Sequence, residues 1–207
     1  MTSFYDRYIL PPFIRCACGA GAIAKQRAKV VPRAEGRVLE LGIGGGLNLA
    51  FYDPARVSSV TGVDPSEGLR ALAMAAPRAE GLKVEVLAGE AEQLTFDDHS
   101  FDTVVCTFTL CSVHTPGAVL AEARRVLKPG GRFLFCEHGL APDPDVARWQ
   151  RRIEPFWTPL AGGCHLTRPV AATIAAAGFK IDEAQTFYMP KAPRPLGWCE
   201  LGVACVA

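Results

Sequence analysis

The chain has 207 residues, of which 49% are hydrophobic and 21% charged, and its formal net charge is +1. That length suits one α/β domain with a full core, and the near-neutral charge excludes a global basic field that would draw it onto nucleic acid. The N-terminal stretch mixes Asp6, Arg7, Pro11, Pro12 and Arg15 into its apolar residues. It therefore reads neither as a signal peptide nor as a membrane span, which places the protein in the cytoplasm.

Residues 1–30 read as a helical extension of a single domain over residues 1–207. Phe4, Tyr5, Tyr8, Ile9, Leu10, Phe13 and Ile14 suit a lid over a site; plain packing of a terminal helix is the other reading. The cysteines Cys16, Cys18, Cys106, Cys111, Cys136, Cys164, Cys199 and Cys205 are expected as reduced, buried thiols in such a compartment. Their spacings match no zinc pattern and Cys16-x-Cys18 has no second pair, so no metal site is expected.

From Arg37 onward short apolar runs alternate with helical stretches, the pattern of βαβ units around a parallel sheet. The predicted fold is a Rossmann-like, doubly wound, seven-stranded α/β sheet, mostly parallel, with an antiparallel C-terminal hairpin. The first strand, Arg37–Leu41, runs into Glu40-Leu-Gly42-Ile-Gly44-Gly45-Gly46 and a helix-compatible stretch, Leu47–Tyr52. Glycines here allow backbone angles that a β-carbon forbids, and let the main chain approach a ligand closely. Leu47 stands where the dinucleotide fingerprint needs its last glycine. Together with the acidic Glu40 ahead of the turn, this favours a ligand with a cationic amino-acid tail over a pyrophosphate. A glycine turn that binds nothing is the bland alternative.

The second strand, Ser59–Val63, ends at Asp64. A carboxylate there accepts both hydroxyl protons of a ribose, or merely caps the helix that begins at Pro65-Ser66-Glu67, with Ser66 as its cap. The third strand, Lys83–Leu87, leads to Gly89-Glu90-Ala91-Glu92, where Glu90 rather than Glu92 is the chosen partner of an adenine amino group. A solvated acidic turn is the alternative. The fourth strand, Thr103–Phe108, opens into Thr109-Leu-Cys-Ser-Val-His114 at the sheet edge. Thr115-Pro116 starts a helix that runs to Leu127 and is stopped by Lys128-Pro129-Gly130-Gly131, a structural turn before the fifth strand, Arg132–Glu137. A further helix begins near Thr167-Arg168-Pro169 and ends at Gly178. Two last strands, around Lys180–Phe187 and Cys199–Val206, flank a Pro-rich bend at 190–195 and are expected to join directly, with no helix.

Between Arg37 and Glu137 these elements resemble, in order and register, the class I S-adenosylmethionine-dependent methyltransferases, especially the branch of the ubiquinone and menaquinone C-methyltransferases. The resemblance implies that Glu40, Gly42, Gly44 and Gly46 line the methionine moiety of S-adenosylmethionine. It implies that Asp64, with Pro65, holds the ribose, that Glu90 and Ala91 meet the adenine, and that Thr107 lies near the sulfonium. Val-Val-Cys-Thr-x-x-Leu-Cys-Ser-Val (104–113), Glu137-His138, the Trp157 region, Phe51-Tyr52-x-Pro54 and Gly163-Cys-His-Leu-Thr-Arg168 are similar to the methyltransferase-like alkyl thiol methyltransferases of animal endoplasmic reticulum and lipid droplets. This chain departs from them in lacking their hydrophobic N-terminal anchor and in having His165 where that family tends to have Asn.

The cofactor would supply the electrophile, leaving the protein to align the acceptor and exclude water. A thiol needs only a route to thiolate, whereas a phenol or amine needs a base. Candidate bases are His114, His138 and His165, with Glu137 as orienter; each also reads as an ordinary loop, strand-end or helix-cap residue. Cys111 and Cys164 read as soft-ligand groups or as buried bystanders. Trp149, Phe156 and Trp157 suit a second wall around a lipophilic acceptor. The leading reading is S-methylation of a small thiol. The competing ones are O-, N- or C-methylation of a quinone precursor, phospholipid or secondary metabolite, and a catalytically silent cofactor-binding regulator.

Overall fold

The computed structural model describes residues 11, 12, 14, 18, 19 and 21–206. Helix α1 (Gly21–Val30) passes through a short 3-10 turn into β1 (Gly36–Leu41). Then come β2 (Val57–Asp64), α2 (Glu67–Met74), β3 (Val84–Ala88), β4 (Phe101–Thr107), α3 (Pro116–Val126) and β5 (Leu127–His138). The remainder is α4 (Pro144–Leu160), α5 (Val170–Ala176), β6 (Phe179–Tyr188), α6 (Arg194–Gly197) and β7 (Trp198–Val206).

One seven-stranded sheet has the order β3-β2-β1-β4-β5-β7-β6. The first five strands pair in parallel, and β7 pairs antiparallel with both β5 and β6. The apolar runs make such strands because side chains on successive residues face opposite ways and both faces are covered. Val38, Val105 and Leu134 pack into one core; Leu39, Leu41, Val104, Phe133 and Phe135 pack into the other. The strand order reverses between β1 and β4, and there the carboxyl ends of the strands open a crevice.

The punctuation of α2 is as expected: Ser66 accepts the Leu69 N–H at 3.3 Å. Elsewhere the structure departs from the sequence reading. The segment Leu47–Tyr52 forms only a 3-10 turn at Leu49–Phe51. Strand β5 begins at Leu127, so Lys128–Gly131 is an irregularity inside a strand rather than a turn before it. Lys128 pairs there with Asp102 at 2.7 Å, and Asp102 also accepts the Arg37 N–H at 2.8 Å, tying the starts of β1, β4 and β5 together. The closing strands are not joined directly, because α6 sits in the Pro-rich bend. Helix α4 is absent from the sequence reading; Pro155 and Pro159 lie inside it and argue locally against a helix.

The aromatic lid expected at Phe4, Tyr5, Tyr8, Ile9, Leu10 and Phe13 lies outside the described residues. No described helix is long and apolar enough to cross a membrane.

Candidate active site

The loop after β1 is built on three glycines at positive φ: Gly42 at 65°, Gly44 at 54° and Gly46 at 73°. Each holds a conformation that L side chains rarely adopt. A β-carbon on Gly42 would also overlap the Thr109 side chain, and one on Gly46 would stand 2.9 Å from Ala73 Cα. At Gly44 a β-carbon would meet only Gly42 O, at 3.8 Å. The loop is therefore fixed below and open at its middle, a cradle that a ligand can approach closely.

Asp64 closes the loop against β2. Its carboxylate accepts Gly44 N–H at 3.0 Å and Ser66 N–H at 2.9 Å. Burial raises its pKa, opposed by those two amides. The carboxylate thus ties the glycine loop to Ser66, the residue that caps α2. Pro65, next to it, is exposed.

Glu40 is 2% exposed and lies beneath the loop in a polar network. It accepts from Asn48 Nδ2 at 2.9 Å and from Tyr52 OH at 2.7 Å. Asn48 also donates to Thr107 Oγ1 at 3.0 Å. Arg27, from α1, donates to Asn48 Oδ1 at 2.7 Å and Thr107 Oγ1 at 2.5 Å, and lies over the Phe108 ring at 5.2 Å. Burial pushes the Glu40 carboxyl up to about 7 against these hydrogen bonds. Arg27 and Asn48 carry no sequence signal, and Tyr52 carries only a family likeness.

Glu90 is exposed, and Ala91 beside it is buried. The neighbouring Glu92 carboxylate accepts the backbone N–H of His114 at 2.9 Å and of Thr115 at 3.4 Å, just ahead of α3. Glu92 is thus tied to the start of α3.

On the other side of the crevice, two loops meet. Glu137, fully buried, accepts Thr109 N–H at 2.8 Å and Cys111 N–H at 3.2 Å. Arg168 donates to the carbonyls of Leu110 and Val113. The loop after α4 is stitched on by His165 N–H to Cys111 O, 2.7 Å. Gly163, at φ 86°, permits that approach, since a β-carbon there would stand 3.0 Å from Ser112 O. Burial raises the Glu137 pKa, and the loop amides lower it. Its described partners are these amides and the Cys106 thiol, rather than an imidazole to orient.

The three candidate histidines are not brought together. His114 is exposed. His165 bonds to Glu154 at 3.1 Å, and Glu154 also accepts the amides of Leu166 and Thr167. His138, at the end of β5, stands edge-on to Phe108 with ring centroids 5.0 Å apart, and its Nδ1 is 3.7 Å from Cys164 Sγ. Donor atoms of Cys111, His138 and Cys164 all lie within 4.8 Å of one another. The hydrogen bond between the two thiols raises Cys111 and lowers Cys164, with His138 lowering Cys164 further. Sequence spacing gives no sign of this cluster, because its members come from three separate segments. Of the expected aromatic wall, Trp149 and Phe156 are exposed among the described residues, at 54% and 77%. Trp157 is half-buried, and a hydrogen bond from it helps lower the Cys164 pKa.

A methyltransferase domain family model matches residues 39–135. Thiol S-methyltransferase TMT1B of Rattus norvegicus is 40% identical over 169 residues, covering 80% of this chain and 66% of that protein. The Homo sapiens protein of the same name is 40% identical over 175 residues, covering 82% and 69%. The chain thus spans about two thirds of the length of these relatives. Among solved structures, an S-adenosylmethionine-dependent methyltransferase from Mesorhizobium loti is similar with a TM-score of 0.67 and 22% identity, covering 89% of this chain and 98% of that one.

Proposed function

This chain belongs to the S-adenosylmethionine-dependent methyltransferases, within the family of the thiol S-methyltransferases, and we propose that it methylates the sulfur of a small, lipophilic thiol. The observation that carries the acceptor is the state of the carboxylates at the acceptor edge. Glu137 and Glu154 are both engaged by backbone amides. Neither is poised as a base, and a thiol makes the least demand for one, because its thiolate is the strongest nucleophile among these acceptors once formed. The 40% identity to proteins named thiol S-methyltransferases supports the same reading, because 169 aligned residues must extend beyond the 39–135 core.

On this reading, Gly42, Gly44 and Gly46 carry the methionine moiety, and the buried Glu40 gives the cationic tail a negative field. Asp64 with Pro65 takes the ribose, Glu90 and Ala91 the adenine, and Thr107 stands near the sulfonium. The open middle of the glycine cradle fits such a ligand. The bound cofactor supplies an electrophilic methyl group on a sulfonium sulfur. The protein's share is alignment and exclusion of water: Thr107 and Phe108 line one side of the approach, and the stitched loops 109–113 and 161–168 the other. On this reading no base is required: His138 stands beside Cys164 at the acceptor edge, and His114 and His165 are too exposed or too committed to serve as one. On the same reading the chain is taken as one domain over residues 1–207.

The test is a turnover screen over alkyl thiols, phenols, amines and quinols that follows S-adenosylhomocysteine release. Thiols should be the best acceptors. Turnover of phenols with none of thiols would overturn the acceptor, and cofactor binding with no turnover at all would favour a silent regulator.

A further inference from the structure

Cys111, Cys164 and His138 lie far apart in the chain, yet three independent devices bring them to one point. Glu137 and Arg168 pin the loop that carries Cys111. The His165 N–H to Cys111 O bond and the bare backbone of Gly163 bring the Cys164 loop against it. Strand β5 delivers His138, and its ring is held edge-on by Phe108. Both cysteines are buried.

We propose that Cys111 Sγ, Cys164 Sγ and His138 Nδ1 form a zinc site with three protein ligands and one exchangeable position. Two thiolates and an imidazole are donors that suit a borderline-soft divalent ion. In a tetrahedron with Zn–S near 2.3 Å and Zn–N near 2.05 Å, sulfur and nitrogen stand about 3.6 Å apart. The Cys164 Sγ to His138 Nδ1 distance is 3.7 Å, and all three donors fall within 4.8 Å. Three protein ligands with one open place is the pattern of reactive rather than structural zinc.

The open place accepts an exogenous thiolate, and this second part rests on the thiol-acceptor reading above. Metal binding releases the protons of Cys111 and Cys164 to solvent. The acceptor R–SH then binds as R–S⁻, releasing one more proton. Its sulfur lone pair forms the new S–CH3 bond as the sulfonium S–CH3 bond breaks, and that bonding pair stays on the departing sulfur. The neutral thioether is a poor ligand and leaves.

The test starts from reduced, chelator-stripped protein. Titration with Zn2+ against a chromogenic chelator should give one ion per chain, and Co2+ should give thiolate-to-cobalt charge-transfer bands with tetrahedral d–d absorption. Cys111→Ser and Cys164→Ser should each weaken zinc binding by roughly 100-fold or more, while Cys205→Ser leaves it unchanged. Retained S-adenosylhomocysteine binding shows that the variants fold. Failure to bind zinc stoichiometrically below about 10 μM, or equal affinity in the double serine variant, overturns the site. Added zinc should raise thiol turnover by stripped protein; full turnover without metal overturns the acceptor role and leaves the site. If zinc binds but no thiol is ever methylated, the site stands and the thiol reading fails.

Discussion

The two sides of the crevice are built by different means. On the cofactor side, one contiguous segment does most of the work: a strand, three glycines at positive φ and, one strand on, a carboxylate that grips the loop. On the acceptor side almost nothing is local. Glu137 holds the 109–111 amides, Arg168 the carbonyls of 110 and 113, and Glu154 the 165–167 segment. The first side can be read as a motif because its constraint is backbone geometry. The second is a set of long-range side-chain ties, which leaves its chemistry free to vary while the first stays fixed. The sides meet where Thr109 Oγ1 donates to Leu41 O at 3.1 Å and where Gly42 leaves room for the Thr109 side chain.

The largest expected effect tests the acceptor side. Glu137→Ala strips a buried acceptor from at least two amides and should cost about 3 kcal/mol of stability, read as a lower urea midpoint. It should also abolish turnover while the surviving folded fraction still binds cofactor. If the variant were as stable as the parent, the contrast drawn above would collapse.

Next is Asp64→Ala, which should weaken S-adenosylmethionine binding about 100-fold by calorimetry, as expected for two charge-assisted hydrogen bonds to a ribose. An unchanged affinity would leave Asp64 as a tie between the glycine loop and the start of α2 only. At the seam, Gly42→Ala should cost about 2 kcal/mol from positive φ and crowding of Thr109. It should impair cofactor binding and turnover together, where single-sided changes impair one first.

Glu40 gives a pH signature. Its folded pKa of about 7 stands above its ordinary value of 4.5, so the native state holds the proton more tightly than the unfolded state does. Its contribution is greatest below the ordinary value and is lost as pH rises through that interval to about 7. Glu40→Gln should remove this loss, so its melting temperature relative to the parent should climb between those limits and then level. The smallest effect belongs to the exposed Arg33–Glu183 pair, joined at 2.8 Å: Glu183→Ala should leave the urea midpoint essentially unchanged.

The same contrast explains what was legible in the sequence. The strands, the sheet class, the Ser66 cap and the glycine turn follow from local pattern, and the structure has them. Helix α4 was hidden by Pro155 and Pro159, and the strand start at Leu127 by Lys-Pro-Gly-Gly, because local breakers lost to tertiary packing. The cysteine–histidine cluster had no spacing signature, and Arg27 none at all, because each is defined by a partner on a distant segment. Glu137 was singled out as an orienter of histidine; its burial among loop amides shows an anchor for the loop instead.

Arg27 has a consequence for how the chain is made. It lies ahead of the 39–135 core, yet it completes the buried network beneath the glycine loop through Thr107, 80 residues downstream. A ribosome-bound chain cannot finish this floor until β4 has emerged and paired. Helix α1, synthesised early, must therefore wait to dock, and a fragment cut to the recognisable core would lack the guanidinium that ties Asn48 to Thr107.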